Sequence, residues 1–159
     1  MPIITTRKGE EILVDQDDFD RYSKYTWFIN SNGYAQRNEP RCNGRRNMPN
    51  MHREVLGLRY GDGSIVDHVN GNKLDNRKEN LRICTASENT INTGLSTRNK
   101  TGYKGVSFCK RAKKFRAQIS IDGKVKSLGY YDNPVDAHAS YRQVAELIHG
   151  EFANFGRKD

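Results

Sequence analysis

The sequence predicts an α+β chain built from two modules: a strand–loop–strand–helix module, then a three-stranded antiparallel sheet packed on one helix. Two short apolar runs, residues 64–69 and 81–85, flank a polar loop rich in Asn and Gly. A helix-capping pattern follows the second run. Residues 114–121 then alternate apolar and polar side chains, which is the period of a half-buried strand. A length of 159 residues allows one domain or two to three small modules.

Residues 1–50 are predicted to form a β-rich segment. Three strands are expected, at residues 11–14, 25–29 and 34–37. Asn30-Ser31-Asn32-Gly33 is typical of a hairpin turn, and a helical turn is expected within residues 17–25. Residues 41–50 are polar and basic and predict a loop suited to contact phosphate. The pattern leaves open whether this segment is a separate platform or part of the core of the next module.

The central module spans residues 51–93. Residues 51–56 predict a short strand or helix, and periodicity does not decide between them. The two apolar runs predict a strand and its partner. Thr85 at N-cap and Glu88 at N3 form a capping box, so a helix is expected to begin there. The small, polar residues 94–102 carry two glycines and predict a linker.

The last segment, residues 103–159, carries the signals of a sheet and a helix. Three strands are expected, within residues 103–110, at 114–121 and at 124–128. Asp122-Gly123 predicts a two-residue turn between the last two strands. Asn133-Pro134 predicts the start of a helix that ends at His149-Gly150. The predicted core positions are Ala137, Tyr141, Val144 and Ile148 on the helix and Phe115, Ile119 and Ile121 on the sheet.

The charge of the chain is unevenly distributed. Lys and Arg number 27 and Asp and Glu 19, which gives a net charge of +8. Residues 1–93 carry 14 basic and 13 acidic side chains, whereas residues 94–159 carry 13 basic and 6 acidic ones. Residues 98–126 alone hold ten basic side chains and one acidic side chain. This local concentration favours a polyanionic partner, double-stranded DNA above all, over a merely solvated basic surface.

The three cysteines, Cys42, Cys84 and Cys109, are widely spaced and form no CxxC pair. A structural zinc site is therefore not expected, and free thiols in a reducing compartment are. No apolar run is long enough to span a membrane, and residues 1–7 lack the apolar core of a signal peptide. The expected location is the cytoplasm, with no membrane partner.

The segment that begins at Asp67 carries the residues best suited to chemistry. His68 follows Asp67 directly and precedes Asn80 by twelve residues, and Asn89 lies further on in the predicted helix. An imidazole titrates near working pH and is a natural general base. Carboxylate and amide oxygens are hard ligands that suit Mg²⁺ or Mn²⁺ better than Zn²⁺. Such a set could hold one divalent ion, activate water and cut a phosphodiester.

This arrangement resembles the motif of the HNH nucleases, the ββα-metal family, in a variant with Asn at the third position. It is most similar to phage and intron-encoded homing endonucleases, which implies a bacterial or phage-infected cell. The resemblance implies that His68 is the general base and that Asn80 orients it. It also implies that Asp67 and Asn89 ligate the one Mg²⁺ or Mn²⁺ ion. A lone Asp-His pair is more often structural, but the spacing and the order of elements together favour the nuclease.

Several neighbours of the motif leave two interpretations open. His52 helps to shape the site or is an ordinary packed or surface histidine. Arg82 clamps a phosphate or is a solvated strand arginine. The run from Asp75 to Arg77, including Asn76, is expected to hold the loop in shape. Because neighbours on a strand point to opposite faces, a bend at the end of the first strand is needed to bring Asp67 and His68 to the same phosphate.

A second pattern runs from Tyr103 to Phe155. Its segments are Tyr103-Lys104-Gly105-Val106, Lys114 to Ile119, Leu128-Gly129-Tyr130-Tyr131 and Asp136 to Tyr141. The pattern resembles the plant ethylene-response-factor (Apetala-two) DNA-binding domain, which places its three-stranded sheet in the major groove. Ser107, Cys109 and Ser127 depart from the plant pattern, so the plant target sequence is not expected here.

The residues expected to contact DNA are Arg82, Lys104, Lys110, Arg111, Lys113, Lys114, Arg116, Gln118, Lys124 and Lys126. The sequence therefore predicts a metal-dependent DNA endonuclease of homing type, with its nuclease module at 51–93 and its DNA-binding domain at 103–159. The alternative is a DNA-binding regulator with an inactive nuclease module, and a third possibility is an RNA-directed or non-specific nuclease. A monomer is expected to nick one strand and a homodimer to cut both, and the sequence leaves this open.

Overall fold

The computed structural model of the chain describes residues 1–41, 47–59 and 61–156. The chain forms two compact units, Met1–Thr85 and Ala86–Asp159. Short helices and antiparallel sheets occur in both, so the predicted α+β class is confirmed. The free thiol predicted at Cys42 and residues 42–46 of the predicted loop lie outside the described residues. Among the residues that are described, no helix is long and apolar enough to cross a membrane.

The first unit consists of small antiparallel hairpins joined by short helices. Where the structure describes it, its elements are β1 Ile3–Thr5, β2 Glu11–Leu13, α1 Gln16–Tyr22, β3 Trp27–Ile29, β4 Ala35–Arg37, α2 Met51–Val55, β5 Ile65–His68 and β6 Leu81–Cys84. β1 pairs with β2, β3 with β4 and β5 with β6. A 3₁₀ turn, Lys78–Asn80, leads into β6. Residues 51–56, which predicted either a strand or a helix, form the helix α2.

One hydrophobic core joins residues 1–50 to the rest of the first unit. Its buried members are Ile4, Ile12, Val14, Tyr22, Trp27 and Ala35 from the first fifty residues, and Met51, Val55, Val66 and Leu81 from the residues after them. Trp27 is 1% exposed, and its indole N–H donates to the carbonyl of Tyr22 at 2.9 Å. The N-terminal hairpins therefore pack in the same core as the hairpin β5–β6, which carries Asp67 and His68.

The second unit consists of one short helix, a three-stranded sheet and a long helix. Its described elements are α3 Ala86–Asn92, β7 Val106–Cys109, β8 Lys114–Ile121, β9 Lys124–Tyr131, α4 Pro134–His149 and a 3₁₀ turn, Gly150–Phe152. The strand order is β7-β8-β9, and both pairings are antiparallel. α3 begins directly after Thr85, as the capping box predicts, and it belongs to the second compact unit.

Short-range signals set the turns and helix ends of this unit. Asp122 and Gly123 both have positive φ, 49° and 72°, as the two-residue turn requires. The side-chain oxygen of Asn133 accepts a hydrogen bond from the N–H of Asp136 at 2.9 Å, which caps the start of α4. α4 ends before Gly150, which has a φ of 50°. These three predictions are confirmed.

α4 packs on one face of the sheet. Ala137, Tyr141 and Ala145 face the sheet, and each is at most 5% exposed. A Cβ at Gly105 would lie 2.1 Å from the ring of Tyr141, so this close approach of the helix requires glycine. The sheet contributes the predicted core side chains Ile119, which is buried, and Phe115 and Ile121, which are partly buried.

The predicted apolar stripe of α4 is wrong at its last member. Ile148 is 42% exposed, whereas Val144 is partly buried as predicted. The buried residues of α4 are Ala137, Tyr141 and Ala145, which are spaced four residues apart. Ala153 and Phe155, from the chain beyond α4, also pack against the core at this end. Residues beyond the helix thus cover this end of the core, and the side chain of Ile148 is exposed.

Candidate active site

Asp67 and His68 are the last two residues of β5 and lie directly before a turn. Both are buried, with exposed fractions of 5% and 4%. The N–H of Gly71 donates to the carbonyl of His68 at 2.8 Å, so the chain reverses immediately after the pair. The chain thus turns at the end of β5, where the sequence predicts a bend, while Asp67 and His68 keep Arg82 and Leu81 as their register partners in β6.

Asp67 is paired across the hairpin with Arg82. The two residues are direct neighbours in the register of β5 and β6, and such neighbours share a face of a sheet. Nε and Nη2 of Arg82 donate to Oδ2 of Asp67 at 2.9 and 2.7 Å. The arginine that was predicted to contact phosphate thus holds the carboxylate predicted to bind metal. A carboxylate has lone pairs for about four partners.

The loop after His68 owes its shape to its asparagines. Oδ1 of Asn70 accepts a hydrogen bond from the N–H of Asn72 at 2.8 Å, and Oδ1 of Asn72 accepts one from the N–H of Leu74 at 3.0 Å. The side chain of Asn70 also donates to Oδ2 of Asp75 at 2.8 Å. Short amide side chains that bond the backbone two residues on are a standard way to hold a turn.

Asp75 anchors the far side of the same loop. Its side chain is 2% exposed, and Nε and Nη2 of Arg77 donate to its two oxygens at 2.8 and 2.7 Å. The hydrogen bonds from Arg77 hold the pKa of the Asp75 carboxyl below its usual value of 3.8. The N–H of Asn76 donates to the carbonyl of Leu13 in β2 at 2.8 Å, which ties the loop to the N-terminal hairpin. These contacts confirm that the residues from Asp75 to Arg77 hold the loop.

Asn80 closes the loop from the inside. It is 5% exposed, its amide donates to the carbonyl of Asp75 at 2.8 Å, and its side-chain oxygen accepts from the N–H of Asn70 at 2.9 Å. Its carbonyl accepts from the N–H of Val69, the residue after His68, at 2.9 Å. Asn80 thus acts on the backbone that directly follows His68.

The ring of His68 packs against two other rings. The centroids of His52 and His68 lie 5.3 Å apart, with planes at 84°, and Tyr34 lies 4.9 Å from His52 and 5.8 Å from His68. Burial, followed by the charges of His68 and Arg53, lowers the pKa of His52 to about 3. His52 is therefore an uncharged aromatic ring at neutral pH. His52 is a packed histidine and not a surface one, and one of the rings it packs against is that of His68.

The sequence did not predict that Tyr34 lies beside His68. Tyr34 follows the turn between β3 and β4, and nothing in its local pattern links it to a residue 34 positions later. Only the shared core of the first unit brings the two together. Burial raises the pKa of the Tyr34 hydroxyl, and the nearby charge of Asp67 acts in the same direction.

The surroundings of His68 favour its uncharged form. Burial lowers the pKa of His68 below its usual value of 6.5. Asn76, Asp67 and Asp75 act in the opposite direction but do not outweigh burial. At neutral pH the imidazole is therefore in the form that can accept a proton.

Asn89 is the fourth residue of α3 and is exposed. The C-terminal end of its helix is fixed within the second unit, because the ammonium of Lys104 donates to the carbonyls of Ile91 and Thr93, each at 2.6 Å. Burial lowers the pKa of Lys104 to about 8. Lys104, a predicted DNA contact, has backbone partners inside its own unit.

The face of the three-stranded sheet that does not pack on α4 is polar. Arg116 pairs with Ser107 of β7 and with Tyr130 of β9, so these side chains share that face. Nε of Arg116 donates to Oγ of Ser127 at 3.2 Å, and Tyr130 is 50% exposed. The sequence predicted this polar face on β8, and the structure adds the neighbours from β7 and β9.

The predicted DNA contacts of the second unit do not form one surface. Lys124 and Lys126 pair with Ile121 and Ile119, so they follow the register of the face that packs on α4. The remaining residues divide between the polar face, with Lys114, Arg116 and Gln118, and the exposed turn between β7 and β8, with Lys110, Arg111 and Lys113.

Comparison with known proteins places the motif in a family. The family model described as HNH endonuclease matches residues 51–91, a range that contains His68 and Asn80. Protein 3.8 of Escherichia phage T7 is 33% identical over 110 residues, which span 67% of this chain and 90% of that protein. The chain belongs to the HNH endonuclease family. An uncharacterized HNH endonuclease of Acanthamoeba polyphaga mimivirus is 28% identical over 151 residues, which span 92% of this chain and 74% of that protein.

The two relatives come from a phage and a giant virus, in keeping with the predicted resemblance to phage endonucleases. A solved structure that concerns DNA binding and cleavage by the HNH homing endonuclease I-HmuI is 22% identical, with a TM-score of 0.39 and coverage of 95% of this chain and 91% of that chain. HNH endonucleases generally use divalent metal ions. The family match ends at residue 91, so the resemblance of residues 103–155 to the plant domain stays a prediction.

Proposed function

We propose that this HNH endonuclease is a metal-dependent enzyme of homing type that hydrolyses phosphodiester bonds in double-stranded DNA. Its second unit supplies the affinity that selects the site. The observation that carries the proposal is that the buried, uncharged His68 and the Asp67 carboxylate are adjacent at the end of β5. Asn80 fixes the loop that follows them. A base, a metal ligand and a rigid support are the parts that such hydrolysis needs.

The donor set fits a hard divalent cation. Asp67 offers a carboxylate, which also accepts hydrogen bonds from Arg82. Asn89 is the second proposed ligand on the strength of its place in the motif, and it offers a neutral amide oxygen. Oxygen donors of this kind suit Mg²⁺ or Mn²⁺. When bound, such an ion stabilises the charge that builds up on the phosphate and on the leaving oxygen.

His68 is the proposed general base. It takes a proton from the water that attacks the phosphorus, and its lowered pKa keeps it ready to do so at neutral pH. The ring must keep one orientation for this step, since a misplacement of about 1 Å can cost roughly 100-fold in rate. The hydrogen bonds of Asn80 to the loop at Asn70 and Asp75 support that orientation.

The proposed DNA-binding surface is the polar face of the three-stranded sheet. A two- or three-stranded ribbon fits the major groove, and Arg116 is well suited to guanine or phosphate there. Lys114 and Gln118 follow the same face, and the exposed lysines and arginine of the β7–β8 turn add positive charge. Lys104 and Arg82 are left out of this proposed surface. The Lys104 ammonium donates to two backbone carbonyls, and Arg82 is paired with the buried Asp67 carboxylate.

Conversion of a supercoiled plasmid tests the proposal. The plasmid carries candidate target DNA and is incubated in low salt with Mg²⁺ or Mn²⁺, with EDTA, and with the His68→Ala protein. Open circles or linear molecules that require both the metal and His68 are expected. His149→Ala, the same change at the end of α4, is the matched control and should cut normally.

The products also separate the remaining possibilities. Open circles alone indicate a monomer that nicks one strand, because each chain has one site, and linear DNA indicates a dimer. A gel shift of the same DNA with no cleavage in any metal would replace the proposal with a DNA-binding regulator that has an inactive nuclease module. Cleavage that survives EDTA or His68→Ala would also contradict it.

A further inference from the structure

His52 belongs to the buried surroundings of His68 although it lies on another element. It is the second residue of α2, is 6% exposed, and its ring is perpendicular to that of His68 at a centroid distance of 5.3 Å. An edge-to-face arrangement at this distance is the favourable one for two aromatic rings. The contact fixes the face that His68 presents, because a ring that packs on another cannot rotate freely.

The side chain of His52 makes ring contacts with Tyr34 and His68. Among the described residues its Nδ1 is buried and has no hydrogen-bond partner. The ring carries no charge at neutral pH, because burial keeps it deprotonated. In this structure the residue therefore acts by its shape and its aromatic edge.

Tyr34 completes the group from the other side. Its ring lies 4.9 Å from His52 and 5.8 Å from His68, so each of the three rings touches the other two. Lys73, from the loop after His68, places its ammonium 4.9 Å from the centre of the Tyr34 ring and donates to the carbonyl of Asn32 at 2.9 Å. The loop and the β3–β4 hairpin thus hold the Tyr34 ring in place.

The backbone contacts of the loop do not by themselves fix the His68 ring. Asn80 bonds the backbone after His68, and this sets the position of the main chain. The side chain has two further torsion angles, and a base must hold both while it takes a proton. The rings of His52 and Tyr34 restrict those angles by packing, beside a side-chain hydrogen bond between His68 and Asn76.

We propose that His52, backed by Tyr34, is a positioning residue that holds the imidazole of His68 in the orientation needed to accept a proton from the attacking water. This inference rests on the proposed role of His68 as general base. His52 does not touch the reacting atoms. Its effect passes through the ring of His68.

Two substitutions at one position test this role. His52→Ala removes the ring and should lower the cleavage rate by up to roughly 100-fold, the cost that a misplacement of about 1 Å can have. His52→Phe keeps an aromatic ring and should restore most of the rate. DNA affinity, measured by gel shift without metal, should be the same in both variants.

The matched control is Val55→Ala, which removes a buried side chain one turn further along α2. If a loosened α2 were the cause, Val55→Ala would lower the cleavage rate as much as His52→Ala does. We expect Val55→Ala to lower the free energy of unfolding but to leave the cleavage rate near that of the wild type.

Histidine ring signals in NMR give a readout that needs neither DNA nor cleavage. The chain has four histidines, so the signal of His68 can be assigned from its loss in His68→Ala. One sharp set of His68 ring signals is expected in the wild type and in His52→Phe. In His52→Ala those signals should shift and broaden as the ring samples several rotamers.

The outcomes separate the two proposals. If the wild type cuts no DNA, the nuclease proposal fails, and the NMR signals still report whether His52 fixes His68. The positioning role is overturned if His52→Ala leaves both the His68 signals and the cleavage rate unchanged. It is also overturned if His52→Phe folds but is as inactive as His52→Ala, because a ring nitrogen would then be needed.

Discussion

The first unit buries its polar side chains, whereas the second displays them. The buried polar residues of the first unit around the motif are His52, Asp67, His68, Asp75, Asn76 and Asn80, each at most 6% exposed. In the second unit the basic residues of the sheet and its turn are exposed or half-exposed, and few of their contacts are internal. Residues 1–85 carry 14 basic and 12 acidic side chains, and residues 86–159 carry 13 and 7.

The difference is the one expected between a catalytic site and a surface that binds a polyanion. A catalytic group needs one fixed orientation, so its neighbours must be buried and mutually bonded, and the loss of one disturbs the rest. Attraction to a polyanion is a sum over many exposed charges, so each contributes a small share. Single substitutions around His68 should therefore have large effects, and those of the exposed basic residues of the sheet should have small ones.

The largest effect is expected for Asp67→Asn. The change removes the charge that would attract the metal and leaves Arg82 without its ion-pair partner. Cleavage should fall by at least about 100-fold, more than is usual for a group that only supports a metal ligand. Plasmid conversion measures this, and Asp17→Asn, an exposed carboxylate on α1, is the control. Equal activity of Asp67→Asn and Asp17→Asn would remove Asp67 from the site.

Asn80→Ala should cost both stability and cleavage. The change leaves the carbonyl of Asp75 and the N–H of Asn70 without their side-chain partner inside the loop. A buried group left unsatisfied costs about 1–3 kcal/mol, which urea unfolding can measure.

Asn89→Ala is the matched comparison for Asn80→Ala. The residue is exposed on α3, so its substitution should change the unfolding free energy by no more than about 0.5 kcal/mol. Cleavage should nevertheless be lost if Asn89 ligates the metal. Loss of stability without loss of cleavage in Asn80→Ala would contradict the positioning of His68 by the loop.

Acid should destabilise the first unit through His52. Its pKa is about 3 in the folded chain and 6.5 ordinarily, so the unfolded chain takes up a proton that the folded chain does not. The stability that its neutral ring contributes is therefore complete above pH 6.5 and is lost as the pH falls toward 3. The slope for one such group is at most about 1.4 kcal/mol per pH unit.

Urea unfolding of the wild type and of His52→Phe across this pH range measures that slope. As the pH falls, the free energy of unfolding of the wild type should decrease relative to that of His52→Phe, because phenylalanine cannot bind the proton. A difference between the two proteins that does not change with pH would show that His52 is protonated in the folded chain as readily as in the unfolded one.

The smallest effect is expected for a single charge on the sheet. Arg116→Ala should weaken DNA binding by less than about tenfold. The slope of log affinity against log salt concentration should decrease by about 1, the share of one phosphate contact. Lys126→Ala removes the same charge from the other register of the sheet and should do less. A larger loss of DNA affinity in Lys126→Ala than in Arg116→Ala would contradict the proposal that DNA binds the polar face of the sheet.

The sequence by itself determined the features that depend on short-range chemistry. The turn at Asp122-Gly123, the cap at Asn133 and the start of α3 after Thr85 each follow from a few adjacent residues. The motif from Asp67 to Asn80 was recognisable for the same reason, since its strand, loop and strand are contiguous.

Only the tertiary structure decided which distant residues meet. Tyr34 and His52 lie beside His68 because three segments share one core, and no local period encodes that contact. The sequence left Arg82 as a phosphate contact or a solvated strand arginine, and the register of β5 and β6 puts it beside Asp67 instead. Ile148 has the spacing of a buried residue but stays exposed, because the chain beyond α4 shares the covering of the core there. A residue's spacing gives its face on its own element, and only packing gives what that face meets.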